Sequence, residues 1–245
     1  DDPDAGGSEV HADQFERRWA AAGLDVTHRT SVARGLPSTA QRNGYRVVRR
    51  GSRYSVFPRA VMNTVAHPRS YDALVEIWNG VPFLTPLWAR GPRSTWIHHV
   101  HRDMWEIVLE PGLAKAGKFF EHRLAPPLYR RTPIVTLSES SRSEIVEYLR
   151  LPAANVRVVP PGIDGQFHPS GEKSPTPLVV SVGRFMPSKR FDDLIESMVE
   201  VRRSVPNVEL VIVGDGFERP ALEAQISSLG AKSWIRLAGR VSDEE

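Results

Sequence analysis

The 245 residues leave room for one large domain or about one and a half ordinary ones, and with 40% hydrophobic and 25% charged residues the balance is globular rather than disordered. Zero cysteines exclude disulfide scaffolds, thiolate zinc sites and cysteine nucleophiles, and suit a reducing cytoplasm; no run approaches the roughly 18 apolar residues of a membrane span, since Ile77 to Ala89 is broken by Pro82 and Pro86. The net charge of +3 is uneven, −2 over Gly171 to Glu245 and +5 over Asp1 to Ser170, so the first part suits an anionic partner or else carries scattered solvated arginines.

A glycine turn, Asp4-Ala5-Gly6-Gly7-Ser8-Glu9, opens the chain without a strand ahead of it. A helix follows, because His11, Phe15, Trp19 and Ala22 recur at four- and three-residue steps and Gly23 stops it. Apolar and β-branched runs predict strands at Val26–Thr30, Tyr45–Arg49, Ala73–Ile77, Thr95–Val100, Ile134–Leu137 and Val156–Val159. Helices are expected over Trp105–Pro111, Ala114–Tyr129 and Glu139–Leu149. The stretch from Pro169 to Pro177 reads as an interdomain linker. A second unit follows it: strand Leu178–Val182, helix Phe191–Ser204, strand Glu209–Val213, helix Arg219–Leu229 and strand Ile235–Ala238. This alternation argues for a parallel α/β architecture, with a first domain over 1–170 and a second over 171–245. Val241-Ser242-Asp243-Glu244-Glu245 looks like a capped helix start with no helix behind it, so the sequence reads as a fragment of a longer protein.

Two turns carry chemistry in their own residues. Gly6 and Gly7 let backbone approach a ligand closely, and the helix behind them offers free N–H groups to an anion, although a glycine pair before a helix is also ordinary turn chemistry. The turn Gly183-Arg184-Phe185-Met186-Pro187-Ser188-Lys189 directly follows a strand, and in open α/β sheets ligands sit beyond the carboxyl ends of strands. Arg184 and Lys189 there present a guanidinium fork and a compact ammonium to a diphosphate; the plain alternative is a surface loop with two solvated cations.

Further segments carry a resemblance. Val159-Pro160-Pro161-Gly162-Ile163-Asp164 through Phe167 and Pro169, Leu210 to Gly216, Ile235 to Ser242, and Val135 to Arg142, in this order with the two turns, resemble the retaining nucleotide-sugar glycosyltransferases of family 4. Pro161 stands where that family usually has Asn. The resemblance implies the GT-B arrangement, two Rossmann-like domains facing across a cleft, with the first on the acceptor side and the second, incomplete here, binding the donor. It implies substrate contacts from Gly6 and Gly7, from Gly183, Arg184 and Lys189, and from Gly214, Gly216 and Val241. The family's glutamate pair, which holds the donor ribose and sugar, lies beyond Glu245, so the fragment alone is expected to be inactive.

The run His98-His99-Val100-His101-Arg102-Asp103 has three readings. In extended geometry His99, His101 and Asp103 point to one side and His98 to the other, an arrangement that suits a metal, or simple packing beside Trp96 and Trp105. The resemblance implies instead a functional histidine near the donor sugar, either His99 or His101, and no metal is assigned. Between Trp105 and Arg131, Lys115, Lys118, Arg123, Arg130 and Arg131 accompany Phe119, Phe120, Leu124 and Leu128, which reads either as a solvated helix face or as a surface resting on anionic lipid.

Taken together, the resemblance implies a retaining hexosyltransferase that moves a sugar from a nucleotide-diphosphate donor to a hydroxyl acceptor, anionic or lipid-linked, without a cofactor and without nucleic acid as partner. It would work in the cytoplasm or on the inner face of the membrane. Arg184 and Lys189 would stabilise the departing diphosphate, with His99 or His101 orienting sugar or acceptor. A sugar-nucleotide 2-epimerase of similar fold is one rival, but no matching acid/base carboxylate motif is found. A non-catalytic nucleotide-sugar or lipid-binding module is the other.

Overall fold

Apolar strands and amphipathic helices alternate along the chain and assemble into three sheets among the described residues. A computed structural model describes residues 6–52, 54–67, 71–102, 104–163, 165, 167 and 172–242. The chain divides into two units, Asp1–Ile163 and Asp164–Glu245. This division precedes the break expected after Ser170; Pro169, Ser170 and Gly171 of the expected linker lie outside the described residues.

The first unit runs α1 (Gly7–Ala21), β1 (Thr27–Thr30), β2 (Thr39–Arg42), β3 (Tyr45–Arg49), α2 (Val56–Ala66), β4 (Leu74–Ile77), α3 (Thr85–Trp88) and β5 (Arg93–Trp96). It continues with α4 (Met104–Val108), α5 (Pro111–Phe119), a π-helical turn (Phe120–Leu124), α6 (Pro126–Tyr129), β6 (Ile134–Thr136), α7 (Glu139–Glu147) and β7 (Val156–Val158). Strands β4, β5, β6 and β7 pair in that order and all in parallel, while β3 lies between parallel β1 and antiparallel β2.

Helix α1 stitches these two sheets together. Its Phe15 and Trp19 pack on Trp96 at the end of β5, with ring centroids 4.7 and 5.8 Å apart. On its other flank Asp13 accepts hydrogen bonds from Tyr45 Oη at 2.6 Å and Arg42 Nε at 2.9 Å. The aromatic spacing that predicted the helix is therefore the half-buried face it packs on β5. The core of the unit gathers Trp78, Ile97, Tyr129, Ile134, Ile145 and Leu149. Inside it, Glu76 of β4 is a buried carboxylate that accepts from Tyr129 Oη at 2.9 Å, from Thr95 Oγ1, and at short range from Thr85 Oγ1 and the Phe83 N–H. Without such partners a buried charge would be too costly to keep.

The second unit is a parallel three-stranded sheet, ordered β10-β9-β8, with β8 (Leu178–Val182), α8 (Phe191–Ser204), β9 (Glu209–Val213), α9 (Arg219–Ser228) and β10 (Ile235–Gly239). Both helices pack on one face, where Phe191, Ile195 and Met198 of α8 and Leu222 and Ile226 of α9 meet Leu210, Ile212 and Ile235.

Local expectations change at several places. β5 ends at Trp96 instead of running to Val100, because the backbone beyond Ile97 turns to bond with side chains rather than with a neighbouring strand. The helix expected over Ala114–Tyr129 is broken: α5 begins at Pro111, a π turn closes with the Ala125 N–H on the Phe120 carbonyl at 3.0 Å, and α6 starts afresh. Pro126 and Pro127 lack the N–H groups a continuous helix needs, and Pro111 suits a helix start, not the helix end first expected there. The β2–β3 hairpin went unpredicted, although its two-residue loop is Asn43-Gly44 with both φ positive, the combination a primed hairpin turn demands. Helix α2 was also unforeseen.

Candidate functional site

The candidate donor-binding residues of the second unit collect along one edge of its sheet. Because β8, β9 and β10 are parallel, Gly183, Gly214 and Val241 all follow carboxyl ends, where open α/β sheets bind ligands. Backbone hydrogen bonds tie the turns after β8 and β9 to each other and to the end of β10. Gly183 N–H donates to the Val213 carbonyl at 3.0 Å, Phe185 N–H to that of Asp215 at 2.9 Å, and Gly214 N–H to that of Gly239 at 2.7 Å. Phe185 is fully buried and anchors the turn against Phe191. Arg184 and Lys189 stand exposed on either side of this anchor, Lys189 closing a 3₁₀ turn over Pro187–Lys189. Arg190 is spent on its own helix, paired with Asp193 and, at 3.8 Å, with Asp192.

Gly214 and Gly216 are explained by packing within this edge. A Cβ on Gly214 would lie 2.0 Å from the Gly183 carbonyl oxygen, and one on Gly216 would lie 2.4 Å from that of Phe185. Only glycine lets the turn after β9 lie against the turn after β8. Two arginines missed by sequence reasoning join the same edge. Exposed Arg240 follows β10, and Arg219 bonds the Asp215 carboxylate at 3.2 Å. The Gly216 N–H and then Arg219 hold the Asp215 carboxyl below the usual range. The edge is thus cationic, shaped by glycines, and suited to a polyanion.

In the first unit, Gly6 caps α1 with its N–H on the Glu9 carboxylate at 2.9 Å. Gly7 needs no glycine for the fold, since its φ is not positive and a Cβ there would meet open space. One turn on, His11 Nδ1 and His98 Nε2 share a hydrogen bond at 3.0 Å, and Ser141 Oγ of α7 donates to the His98 carbonyl. The His98 loop is therefore tied to the starts of both α1 and α7. His99 and His101 lie on the other side with rings stacked at 4.8 Å, and His101 continues onto Trp105. Asp103, the carboxylate of the metal reading, lies outside the described residues. Among the described residues no group of three or more His, Asp or Glu is placed to hold a metal ion.

Two residues not assigned a site role from the sequence organise this loop. Glu121 accepts the N–H groups of His101 and Arg102, and His11 fixes His98. Burial, followed by the neighbouring His11 and His99, pushes His98 down to about 4. An unfolded histidine titrates near 6.5, so between these values the unfolded chain binds more protons, and stability falls as pH drops through that window. The melting temperature should accordingly decline more steeply from about pH 6.5 to 4 in the wild type than in His98→Asn. Parallel curves for the two proteins would show that another group titrates.

Residues 5–167 match the family described as Glycosyltransferase Family 4, and residues 163–245 match Glycosyl transferases group 1. A mycobacterial relative, the GDP-mannose-dependent alpha-(1-6)-phosphatidylinositol monomannoside mannosyltransferase of Mycolicibacterium smegmatis, is 26% identical over 84% of this chain and 56% of its own length. The chain therefore spans little more than half of that relative. Among solved structures, a glycosyltransferase from Rickettsia africae aligns with TM-score 0.72 and 14% identity over 98% of this chain and 66% of its own. Anabaena HepE, solved in complex with UDP and glucose, aligns with TM-score 0.64 and 16% identity over 99% of this chain and 68% of its own. The fold is that of GT-B glycosyltransferases.

Proposed function

The chain belongs to glycosyltransferase family 4, and on that premise we propose that the protein transfers a hexose, with retention, from a nucleotide-diphosphate sugar to a hydroxyl acceptor. The observation that carries this reading is the exposed pair Arg184 and Lys189 beside the Gly183 turn at the carboxyl edge of the β8–β10 sheet. The second unit would bind the donor and the first the acceptor. The start of α1 at Gly7 would present backbone N–H groups to a phosphate, the Gly6 N–H being held by Glu9.

The bond between the anomeric carbon and the diphosphate is already activated, so the task is to stabilise charge as it departs. In a front-face transfer that bond breaks while the acceptor oxygen bonds the anomeric carbon on the same side, and the acceptor proton passes to the leaving phosphate oxygen. Arg184 and Lys189 would neutralise the diphosphate as charge builds. His99 or His101 would orient sugar or acceptor by hydrogen bonding. A donor of this class is supported by the mannosyltransferase's name and by the UDP and glucose held by HepE.

A cytoplasmic protein resting on the inner face of the membrane is the further part of the proposal. Ile107, Leu113, Phe119 and Leu124 are exposed close in sequence to Lys115 and Arg123, a composition that suits an anionic lipid surface and a lipid-linked acceptor. Among the described residues no helix is long and apolar enough to cross a membrane.

The test is transfer by the whole protein from a panel of α-linked UDP- and GDP-sugars, with the product's anomeric configuration read by NMR. An α-linked product, formed equally well in the presence of a chelator, is the expected result. An inverted product would remove the retaining mechanism. Activity abolished by chelation and restored by a divalent ion would remove the assignment of charge stabilisation to Arg184 and Lys189 alone.

A further inference from the structure

Glu121 is a carboxylate 1% exposed, set in the π-helical turn between α5 and α6, and the chemistry above makes no use of it. Such turns are rare and recur at functional sites. Its oxygens divide three donors: Oε1 accepts the His101 N–H at 2.9 Å, while Oε2 accepts the Arg102 N–H at 3.2 Å and Trp105 Nε1–H at 2.9 Å. All three donors belong to the loop and helix start from His101 to Trp105, the first of them the backbone of one of the two stacked histidines.

The surroundings lock that arrangement from other directions. Trp105 slots between Gly117 and Gly80, where a Cβ would come within 2.7 and 3.0 Å of its ring. The same position on Gly80 would lie 3.3 Å from His101 Nε2, so the imidazole is seated as closely as the indole. Arg102 holds φ at 37°, a conformation that side chains rarely adopt and that persists where neighbours over-determine it. The successive backbone N–H groups of His101 and Arg102 are turned onto one carboxylate, which is what a clamp on this strained loop requires.

We propose that Glu121 is a positioning residue of the transfer reaction: by clamping the backbone of His101 and Arg102 and the indole of Trp105, it fixes the loop that presents His99 and His101 to the reacting sugar. The inference rests on the proposed role of those histidines. An apolar side chain at 121 would leave three donors without this acceptor, the Trp105 indole N–H among them buried, and a neutral amide would turn an NH₂ group toward at least one of them. Either change lets the imidazoles drift, and displacements near 1 Å can cost about 100-fold in rate.

The decisive variant is Glu121→Gln in the whole protein. Folded E121Q is expected to lose roughly 10- to 100-fold in kcat with donor KM within about twofold, and to shift the imidazole NMR signals of His99 and His101. A purely structural glutamate would lower the melting temperature but leave the kcat of the folded protein unchanged, and wild-type kcat in E121Q overturns the proposal. If E121Q does not fold, Trp105→Phe removes only the indole donor. It should then lower kcat about threefold or more at constant donor KM, and an unchanged kcat overturns the proposal equally. If the wild-type protein transfers no sugar, the proposed function fails by itself. The clamp is then judged by the imidazole signals, and signals unmoved in E121Q overturn it.

Discussion

Replacing Arg184 or Lys189 by Ala in the whole protein is expected to lower kcat/KM by roughly 30- to 1,000-fold, about 2–4 kcal/mol of transition-state stabilisation. The two side chains stand at the carboxyl edge of a parallel sheet, where the proposed diphosphate would gather charge as the anomeric bond breaks. A cation aimed there stabilises the transition state more than the ground state, so the loss should fall largely on kcat. Both residues are exposed, and the turn they flank is held by backbone hydrogen bonds and by buried Phe185, so stability should change by less than about 0.5 kcal/mol. Arg203→Ala is the control: an exposed arginine of α8 paired with Glu200 of the same helix, its loss removes the same charge far from the turn. Steady-state kinetics on the three variants decides the matter. Normal turnover in the Arg184/Lys189 double variant would remove the diphosphate assignment.

Gly214→Ala should destabilise the second unit by about 2–5 kcal/mol, a large fraction of what a domain this size has to lose. Two costs combine. The added methyl would sit 2.0 Å from the Gly183 carbonyl oxygen, and φ at +132° is a conformation an alanine avoids. Relief would push apart the turns after β8 and β9, breaking the bonds from Gly183 to Val213 and from Phe185 to Asp215. Donor binding should therefore weaken along with stability. Gly7→Ala is the contrast, because its Cβ meets open space and the first helical position accepts Ala readily. Its melting curve should match the wild type, while any loss of transfer would mark a ligand's approach to that backbone. Calorimetry on both proteins checks the pair, and a Gly214→Ala protein melting like the wild type would show that the two turns have room to separate.

The second unit was legible almost element by element. Strands at Leu178–Val182 and Glu209–Val213 and the helix at Phe191–Ser204 were bounded by glycines, prolines and changes of hydrophobic period, which are local signals. Helix α1 was legible for the same reason, its aromatic stripe being also the half-buried face that packs on Trp96. The first unit was harder where local rules compete. The β2–β3 hairpin is polar and short, so its strand signal is weak beside the Asn43-Gly44 turn that makes it. The segment Ala114–Tyr129 has helical composition throughout, and only the paired prolines betray the π turn that carries Glu121.

The motifs of this chain resemble one family, and without a structure its residues determined its parallel α/β class, the order of most of its elements, and the placing of Gly183, Arg184 and Lys189 just after a strand. Those properties depend on short-range periodicity and on turn residues within a few positions of one another. Tertiary structure alone decided what each histidine faces. His98 is bonded to a histidine 87 positions away, and His101 is held by a carboxylate 20 positions away. It also decided why Gly214 and Gly216 are glycine, which follows from carbonyls on a different strand's turn. Such contacts are set by strand register and by the packing of helices on sheets, and no local pattern in the sequence encodes the distance across which two side chains meet.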